Sequence, residues 1–300
     1  MDNLIDLHIH TNKSDGEFSP EEILYMAKEK NIKVISITDH DSLDAYNDEI
    51  FKLANKLNIQ LITGVEISTK NEKCGIHVLA YNVDINNEKL KDMLYKIRNA
   101  RHIYLYDVGK RLKEIGYEID IDELDKIDVV TKAHISSHIV NETKNREKLI
   151  EEFGCVPERG TFIETIMNEG CIAYVSKYVP TLEEISEVIR NAGGKVVLAH
   201  PVAYSYTDGL SIDDVQNIID RLKPDGIECY YILTTPENKK INEIEKWKEL
   251  AIKNNLFMTL GSDFHRIKSE CEISLGLIGE DIFILDDERI KIVESITLGE

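Results

Sequence analysis

Histidines and carboxylates accompany a succession of short apolar segments in this sequence. They occur in the runs DLHIHT, SDGEFSP, ITDHDS, TGVEIS, GIHVLAY, LAHP and GSDFH. Imidazole and carboxylate donors suit first-row divalent metals, and several such ions close together suit phosphoester chemistry. The candidate metal ligands are His8, His10, Asp15, His40, Glu66, His77, His200, Asp263 and His265.

Two of these runs carry donors at alternate positions, His8 with His10 and Asp263 with His265. Alternate residues of a strand point to the same face, so each pair can present two donors to one place. An isolated HxH pair is a weak signal, because surface and core histidines share the spacing. Asp6 precedes the first pair, and we expect it to accept a hydrogen bond from an imidazole N–H.

The other candidates differ in how strongly their context points to a metal. Glu66 follows an apolar run, where a carboxylate is costly unless it is paired or metal-bound, so it is a candidate to bridge two cations. Asp15 has the alternative interpretation of an ordinary Asp-Gly turn. His77 has the alternative of a hydrogen-bonded core histidine. Asp39, beside His40, is expected to support the site.

Short apolar runs alternate with amphipathic stretches, which is typical of βα units. Strands are predicted over 4–10, 34–40, 61–68, 195–201, 226–231 and 257–265, with 75–83 returning as a hairpin-like strand. Helices are predicted over 20–31, 42–57, 180–194, 211–222 and 236–254, the first with Ser19 as N-cap and Glu22 completing a capping box. In a βα barrel the C-terminal strand ends meet at one mouth, so the candidate ligands are expected to converge.

The middle of the chain, residues 96–177, interrupts this rhythm with mostly helical, polar sequence. It predicts a helical cap subdomain inserted over the barrel mouth. Four residues of this segment are candidate substrate contacts because they could meet phosphate: Lys132, His134, Arg159 and Lys177. The solvated-charge alternative stays open for Arg159 and Lys177, and a structural role stays open for His134.

The whole chain fits a soluble α/β enzyme with an inserted subdomain. It has 300 residues, of which 42% are apolar and 30% charged. The cysteines show no CxxC spacing and are expected to be reduced thiols: Cys74, Cys155, Cys171, Cys229 and Cys271. No apolar run is long enough to cross a bilayer and the start lacks signal-peptide features, so we expect a cytoplasmic protein without membrane partners.

The formal net charge of −19 disfavours a long nucleic-acid track, which requires a positive surface. Bound divalent cations would make a pocket locally positive while the outer surface stays acidic. The expected partner is therefore a small phosphorylated substrate, in particular a nucleotide. The sequence does not indicate an oligomeric state.

The order HxH, D, TDH, GVE, H, AHP and SDFH resembles the PHP superfamily, named for polymerase and histidinol phosphatase. The resemblance covers roughly 4–84 and 172–266, and the insertion resembles that of the branch with nucleoside 3′,5′-bisphosphate phosphatases, AMP-releasing enzymes and short-RNA 5′-exonucleases. It implies an α/β fold, a distorted (β/α)7 barrel of PHP type formed by 1–95 and 178–300, with 96–177 as the inserted helical cap. It also implies two or three divalent metal ions, manganese, iron or zinc.

The resemblance also implies how the ligands are shared. The first metal would be held by His8, His10, Glu66 and Asp263. The second would be held by Glu66, His77 and His200, which makes Glu66 the bridge. The third would be held by Asp15, His40 and His265. Glu66, Asp263 and His265 are the candidate catalytic residues, and His265 could serve as general acid if the third metal is absent.

The function expected from the resemblance is hydrolysis of a phosphomonoester of a small nucleotide, a nucleoside monophosphate or 3′,5′-bisphosphate, by metal-activated hydroxide. Histidinol-phosphate hydrolysis and short-RNA 5′-exonuclease activity remain alternatives. A non-catalytic metal-binding regulatory module is the alternative from a different class. Lys132 stands where related enzymes carry an arginine, and Glu169 where a basic residue is expected, so phosphate recognition can differ.

Overall fold

A computed structural model describes residues 4–126, 131–235, 239–267, 275–276, 284 and 286–297. The chain divides into two compact units. The first consists of Met1–Tyr95 and Pro180–Glu300, and the second consists of Lys96–Val179.

The first unit is built on a sheet in which, within the described residues, seven strands follow the order β1-β2-β3-β4-β5-β6-β9. The strands are β1 (Leu4–Ile9), β2 (Ile32–Ile37), β3 (Gln60–Lys70), β4 (Gly75–Tyr81), β5 (Lys195–Leu198), β6 (Gly226–Tyr230), β7 (Leu233–Thr234), β8 (Lys240–Ile241) and β9 (Phe257–Leu260). β7 and β8 form a separate antiparallel pair. β4 is antiparallel to both neighbours and all other pairs of the sheet are parallel. The α/β class with a mostly parallel sheet and the hairpin-like fourth strand are confirmed.

Helices fill the connections between the strands. They are α1 (Pro20–Glu29), α2 (Asp48–Leu57), α3 (Glu88–Arg98), α4 (Ala100–Glu114), α5 (Ile121–Leu124), α6 (Lys132–Asn141), α7 (Arg146–Phe153), α8 (Arg159–Phe162), α9 (Leu182–Asn191), α10 (Pro201–Thr207), α11 (Ile212–Leu222), α12 (Ile244–Lys253) and α13 (Asp286–Thr297). A 3₁₀ turn covers Thr143–Asn145 and a π turn covers Ile163–Met167. The capping box of Ser19 and Glu22 is present as predicted, so local hydrogen bonding fixes the start of α1.

Two helices begin later than the sequence pattern predicts. The helix expected over 42–57 begins at Asp48, because the Asn47 side chain accepts hydrogen bonds from the backbone N–H groups of Glu49 and Ile50. The helix expected over 236–254 begins at Ile244, because the β7–β8 pair occupies part of that stretch. Residues 236–238 lie outside the described part of the chain.

Each unit has its own hydrophobic core. In the first, the apolar faces of α1 and α2 pack against β1 and β2 through buried residues such as Ile23, Ile35 and Ile50. In the second, Leu105 and Phe162 are fully buried in a cluster formed by its own helices. A domain-sized cluster of buried side chains supplies the main favourable contribution to folding, at roughly 25 cal/mol per Å² of apolar area.

Backbone hydrogen bonds connect the end of β1 to the segment that follows β9. The His10 N–H donates to the Phe264 carbonyl at 2.9 Å, and the Asp263 N–H donates to the His8 carbonyl at 2.9 Å. Ile9 and Phe264 form an isolated parallel bridge. The donor pairs at the ends of the first and last strands of this sheet are therefore adjacent in space.

Two further expectations concern the described residues only. No helix among them is long and apolar enough to cross a membrane. Cys74, Cys155, Cys171 and Cys229 are free thiols, as expected. Cys271 lies outside the described residues.

Candidate metal centre

The strand directions bring the candidate ligands to one edge of the sheet. Most of them lie at or beyond the C-terminal ends of parallel strands, as barrel geometry predicts. His77 is different, since it lies near the start of β4. Because β4 runs antiparallel to its neighbours, its first residues lie at the same edge as the C-terminal ends of the others.

Four donors meet in an inner group that lies in the first unit: His8, His10, Glu66 and Asp263. The Nε2 atoms of His8 and His10 are 3.1 Å apart. Glu66 Oε2 is 3.2 Å from His8 Nε2 and 3.1 Å from His10 Nε2. Asp263 Oδ1 is 3.4 Å and 3.1 Å from the same two nitrogens. Donors that share an ion at about 2.1 Å lie about 3.0–3.4 Å from each other, so this group has the dimensions of a coordination shell.

Glu66 connects this inner group to further donors through its second oxygen. Oε1 is 3.0 Å from His77 Nδ1 and 3.0 Å from His200 Nε2. His40 Nδ1 lies 3.2 Å from Oε2. The carboxylate thus faces donors with both oxygens while its side chain is only 1% exposed.

A third, more open group consists of His10, Asp15, His40 and His265. Asp15 Oδ1 is 3.6 Å from His10 Nδ1 and 3.4 Å from His265 Nε2. Asp15 Oδ2 is 3.9 Å from His40 Nε2. His10 belongs to both this group and the inner one, a double membership that the spacing in the sequence did not indicate.

Several buried donor atoms of these groups make no hydrogen bond within the described part of the protein. They are His10 Nδ1, His40 Nδ1, Glu66 Oε2, His77 Nδ1 and His200 Nδ1. Buried polar atoms normally have a partner. All of these atoms except His200 Nδ1 lie 3.0–3.6 Å from a donor atom of another candidate ligand, which is typical of metal ligands. The residues present therefore fit divalent metal ions.

Burial and neighbouring charges set the protonation of these groups in the metal-free protein. Burial opposes the charged form of His10, but the neighbouring carboxylates of Asp263 and Glu66 raise its pKa to about 9. Burial would raise the pKa of Glu66, yet the surrounding histidines, His8 foremost, lower it well below its usual range. Burial lowers the pKa of His40 to about 4. A metal ion entering the inner group must therefore displace a proton.

Asp39 supports the loop that carries Asp15, as expected. Its carboxylate accepts hydrogen bonds from the Thr11 N–H, the Thr11 hydroxyl and the Ser14 hydroxyl, each at 2.7 Å. Asp39 is fully buried. These bonds fix the position of the loop relative to the end of β2.

The expectation for Asp6 was wrong. Its carboxylate accepts from the Ser262 hydroxyl and from the N–H groups of Ser262 and Gly276, so it braces the backbone beside Asp263. The acceptor that faces the His8 ring is Glu228 of β6, at 3.0 Å from Nδ1. Sequence reasoning missed Glu228, although a carboxylate inside the apolar strand GIECYY was a usable signal.

Tyr231 is the last residue of the apolar run GIECYY and directly follows β6. The structure buries it, and its hydroxyl donates to Asp263 Oδ2 at 3.2 Å. Its ring centroid is 5.3 Å from that of His200. Tyr231 therefore contacts two of the candidate ligands.

The candidate substrate contacts all lie in the second unit. Lys132 Nζ donates to Asn168 Oδ1 at 3.0 Å. His134 Nδ1 accepts from the Thr131 N–H at 3.2 Å, which gives it a role in capping α6. Arg159 and Lys177 are exposed.

Comparison with known proteins finds similar sequences in one domain family and in several enzymes. A family model described as the PHP domain matches residues 6–193. A 5′-3′ exoribonuclease of Haemophilus influenzae is 29% identical over 266 residues, which cover 87% of this chain and 89% of that protein. A 3′,5′-nucleoside bisphosphate phosphatase of Chromobacterium violaceum is 26% identical over 272 residues, which cover 87% of each.

The fold also has a counterpart among solved structures. A protein of Bifidobacterium adolescentis matches with a TM-score of 0.60 at 22% identity, covering 98% of this chain and 96% of that one. At this identity the match shows that the two chains share a fold.

Proposed function

Because this chain belongs to the PHP domain family, we propose that its donor groups bind divalent metal ions and hydrolyse a phosphoester of a small nucleotide. The relatives are named as exoribonucleases and as a nucleotide phosphatase, and the chain is a hydrolase of this family. The observation that carries the proposal is the convergence of four histidines, His8, His10, His77 and His200, on both oxygens of the buried Glu66.

We assign the ligands as the resemblance implies, with one addition. His8, His10, Glu66 and Asp263 hold one ion, Glu66, His77 and His200 hold a second, and Asp15, His40 and His265 hold a third. The addition is His10, whose Nδ1 also faces Asp15. Divalent ions held there would supply Lewis acidity toward the phosphoryl group and would lower the pKa of bound water toward neutrality. Manganese, iron and zinc all accept this mixture of nitrogen and oxygen donors.

His265 fits the role of a ligand better than the role of a general acid. Its Nδ1 lies 2.8 Å from the Asp263 carbonyl, which can only accept, so Nδ1 carries the proton. In the neutral ring Nε2 then offers a lone pair, and it is this atom that faces Asp15. We therefore propose three ions rather than two with His265 as the acid.

The finer architecture is also proposed from the family. Residues 1–95 and 178–300 would form a distorted (β/α)7 barrel and 96–177 an inserted cap. The backbone bonds between His10 and Phe264 and between Asp263 and His8 support joining of the first and last strands. We further propose that Lys132, His134, Arg159 and Lys177 of the second unit contact substrate phosphate.

Short 5′-phosphorylated RNA is the second candidate substrate. It is favoured by the exoribonuclease relative, which is more similar in sequence than the bisphosphate phosphatase is. The net charge of −19 still argues against long nucleic acid, since counterion release on binding requires a basic surface. Both candidate substrates carry a nucleotide with a terminal phosphate. They differ in the product, which is inorganic phosphate from the small nucleotide and a mononucleotide from the RNA.

The test is a panel assay on protein loaded with manganese, with metal content determined by mass spectrometry. Phosphate release is measured on AMP, a 3′,5′-bisphosphate and histidinol phosphate, and mononucleotide release on a short 5′-phosphorylated RNA. Turnover of a nucleotide is expected. Bound metal without turnover of any substrate would sink the proposed hydrolysis and favour a non-catalytic metal-binding module.

A further inference from the structure

Glu228 is a charged residue in the middle of an apolar strand and is fully buried. A buried carboxylate is costly unless it is fully hydrogen-bonded. Its contacts are with two groups next to the donor cluster. Oε1 and Oε2 lie 3.0 Å and 3.2 Å from His8 Nδ1, and Oε2 accepts from the His200 backbone N–H at 3.0 Å.

We propose that Glu228 is a positioning residue that holds His8 with its proton on Nδ1, so that the ring presents Nε2 to the metal ions, and that it also fixes the backbone position of His200. This inference rests on the proposed metal centre.

The chemistry of the contacts determines the tautomer. A carboxylate only accepts, so the His8 Nδ1 opposite it must donate. The lone pair of the neutral ring is then on Nε2, which is the atom 3.2 Å from Glu66 Oε2 and 3.4 Å from Asp263 Oδ1. A hydrogen-bonded carboxylate behind a ligating imidazole also raises the basicity of the metal-binding nitrogen.

The second contact of Glu228 is with the backbone of His200, two residues after the end of β5. The His200 N–H is always a donor, so both partners of Glu228 require an acceptor. His200 Nε2 lies 3.0 Å from Glu66 Oε1, on the other side of the bridging carboxylate from His8. Glu228 therefore contacts two candidate ligands, His8 and His200, which lie next to different oxygens of Glu66.

Glu228→Gln tests this with nearly unchanged volume. The amide oxygen can keep the His200 contact at the Oε2 position, but the amide then places an NH2 donor at the Oε1 position, 3.0 Å from His8 Nδ1. The charge-assisted contact with the His8 N–H is therefore weakened. We expect the affinity for Mn²⁺, measured from the solution EPR signal of the free ion, to fall about 10- to 100-fold. Glu228→Asp keeps the acceptor charge and should recover part of this loss.

Asp225→Asn is the matched control. Asp225 immediately precedes β6, and its carboxylate also accepts a hydrogen bond from a backbone N–H. It accepts from the Val196 N–H at 2.8 Å and pairs with Arg190, and it is not part of the donor groups. We expect its loss to lower thermal stability without changing Mn²⁺ affinity. Equal Mn²⁺ affinity in Glu228→Gln and the native protein overturns the inference.

A measurement on the native protein decides the matter if neither Glu228 variant folds. In zinc-loaded, ¹⁵N-histidine-labelled protein, NMR should show the His8 proton on Nδ1 and Nε2 bound to metal. A proton on Nε2 of His8 in the loaded protein overturns the positioning role and removes His8 from the ligands, whereas the bound zinc still supports a metal centre formed by the other donors. Absence of zinc binding overturns the proposed metal centre and this inference with it.

Discussion

At the scale of single residues, Glu66 is the point where the donor groups meet. It is buried, its Oε2 faces His8 and His10, and its Oε1 faces His77 and His200. Such a carboxylate has neutralising partners whether the histidines are protonated or metal-bound. We therefore expect a change at Glu66 to lower both the amount of bound metal and the phosphoesterase activity.

Glu66→Gln should lose bound metal and phosphoesterase activity together. The amide keeps the volume of the side chain but removes the negative charge and one acceptor oxygen. We expect metal affinity to fall by more than about 100-fold, because even residues behind metal ligands account for 10–100-fold. Mass spectrometry of the purified variant measures metal content, and Glu72→Gln, at an exposed glutamate, is the control. Full metal occupancy in Glu66→Gln would falsify the bridging assignment.

Proton release should accompany metal binding. The pKa of His10 is raised to about 9 in the metal-free protein, against an ordinary value near 6.5. The stabilisation from its charged contacts is therefore complete below about pH 6.5 and is lost as the pH rises toward 9. Between these values Mn²⁺ competes with a bound proton, so its apparent affinity should rise with pH.

Calorimetry in buffers of different ionisation enthalpy checks this proton release. In His10→Gln, the number of protons released on metal binding should decrease by the number that His10 contributes. A metal affinity independent of pH between 6.5 and 8.5 contradicts the prediction.

At the scale of elements, close approach of β1 and the end of β9 depends on a residue without a side chain. A Cβ on Gly261 would lie 2.1 Å from His8 Cβ and 2.6 Å from Glu228 Oε1. Two residues later Asp263 adopts a positive φ of 54°, which is strained for a residue other than glycine. The close approach at Gly261 and the positive φ of Asp263 thus place the turn after β9 directly beside His8 and Glu228.

Gly261→Ala should displace His8 and weaken both folding and metal binding. Crowding of this kind costs about 1–3 kcal/mol in a packed interior. Urea unfolding measures the stability and EPR titration the affinity for Mn²⁺. Gly160→Ala is the control, because a Cβ there meets no atom within 4 Å. Unchanged metal affinity in Gly261→Ala would show that His8 tolerates the added methyl group.

At the scale of the whole molecule, the chain forms two units with separate cores, and only the first contains the candidate metal ligands. Changes in the second unit are therefore expected to affect substrate recognition rather than metal content. Lys132 is the residue on which to test this, because its Nζ is bonded to Asn168 within the same unit.

Lys132→Ala should raise KM for a phosphate substrate and leave metal content unchanged. The reason is loss of a positive charge that would meet the phosphate. Asn168→Ala removes the same hydrogen bond but keeps the charge, so it separates a structural effect from an electrostatic one. Steady-state kinetics with metal analysis provide the measurement. An increase of KM in both variants, or in neither, removes Lys132 from substrate binding.

Local pattern was sufficient for much of the fold and of the candidate site. The alternation of apolar runs and capped helices predicted the seven strands of the sheet and α1, although β9 ends at Leu260, and Asp263 and His265 are therefore not alternate residues of a strand. Capping boxes and side-chain periodicity can be predicted because they are properties of neighbouring residues. The spacing of His8 with His10 placed two donors on one face for the same reason. The start of α2 was predicted at residue 42 but lies at Asp48, where the Asn47 side chain caps the helix.

The candidate metal donors were thus chosen from the sequence alone, and the tertiary structure decided which of them lie close together. Glu228 lies 220 residues from His8, and no local pattern indicates that the two meet. His77 reaches the same edge as the other donors only because β4 runs against its neighbours. The physical reason is that periodicity determines which face a side chain occupies, while strand order and direction determine which distant faces come together.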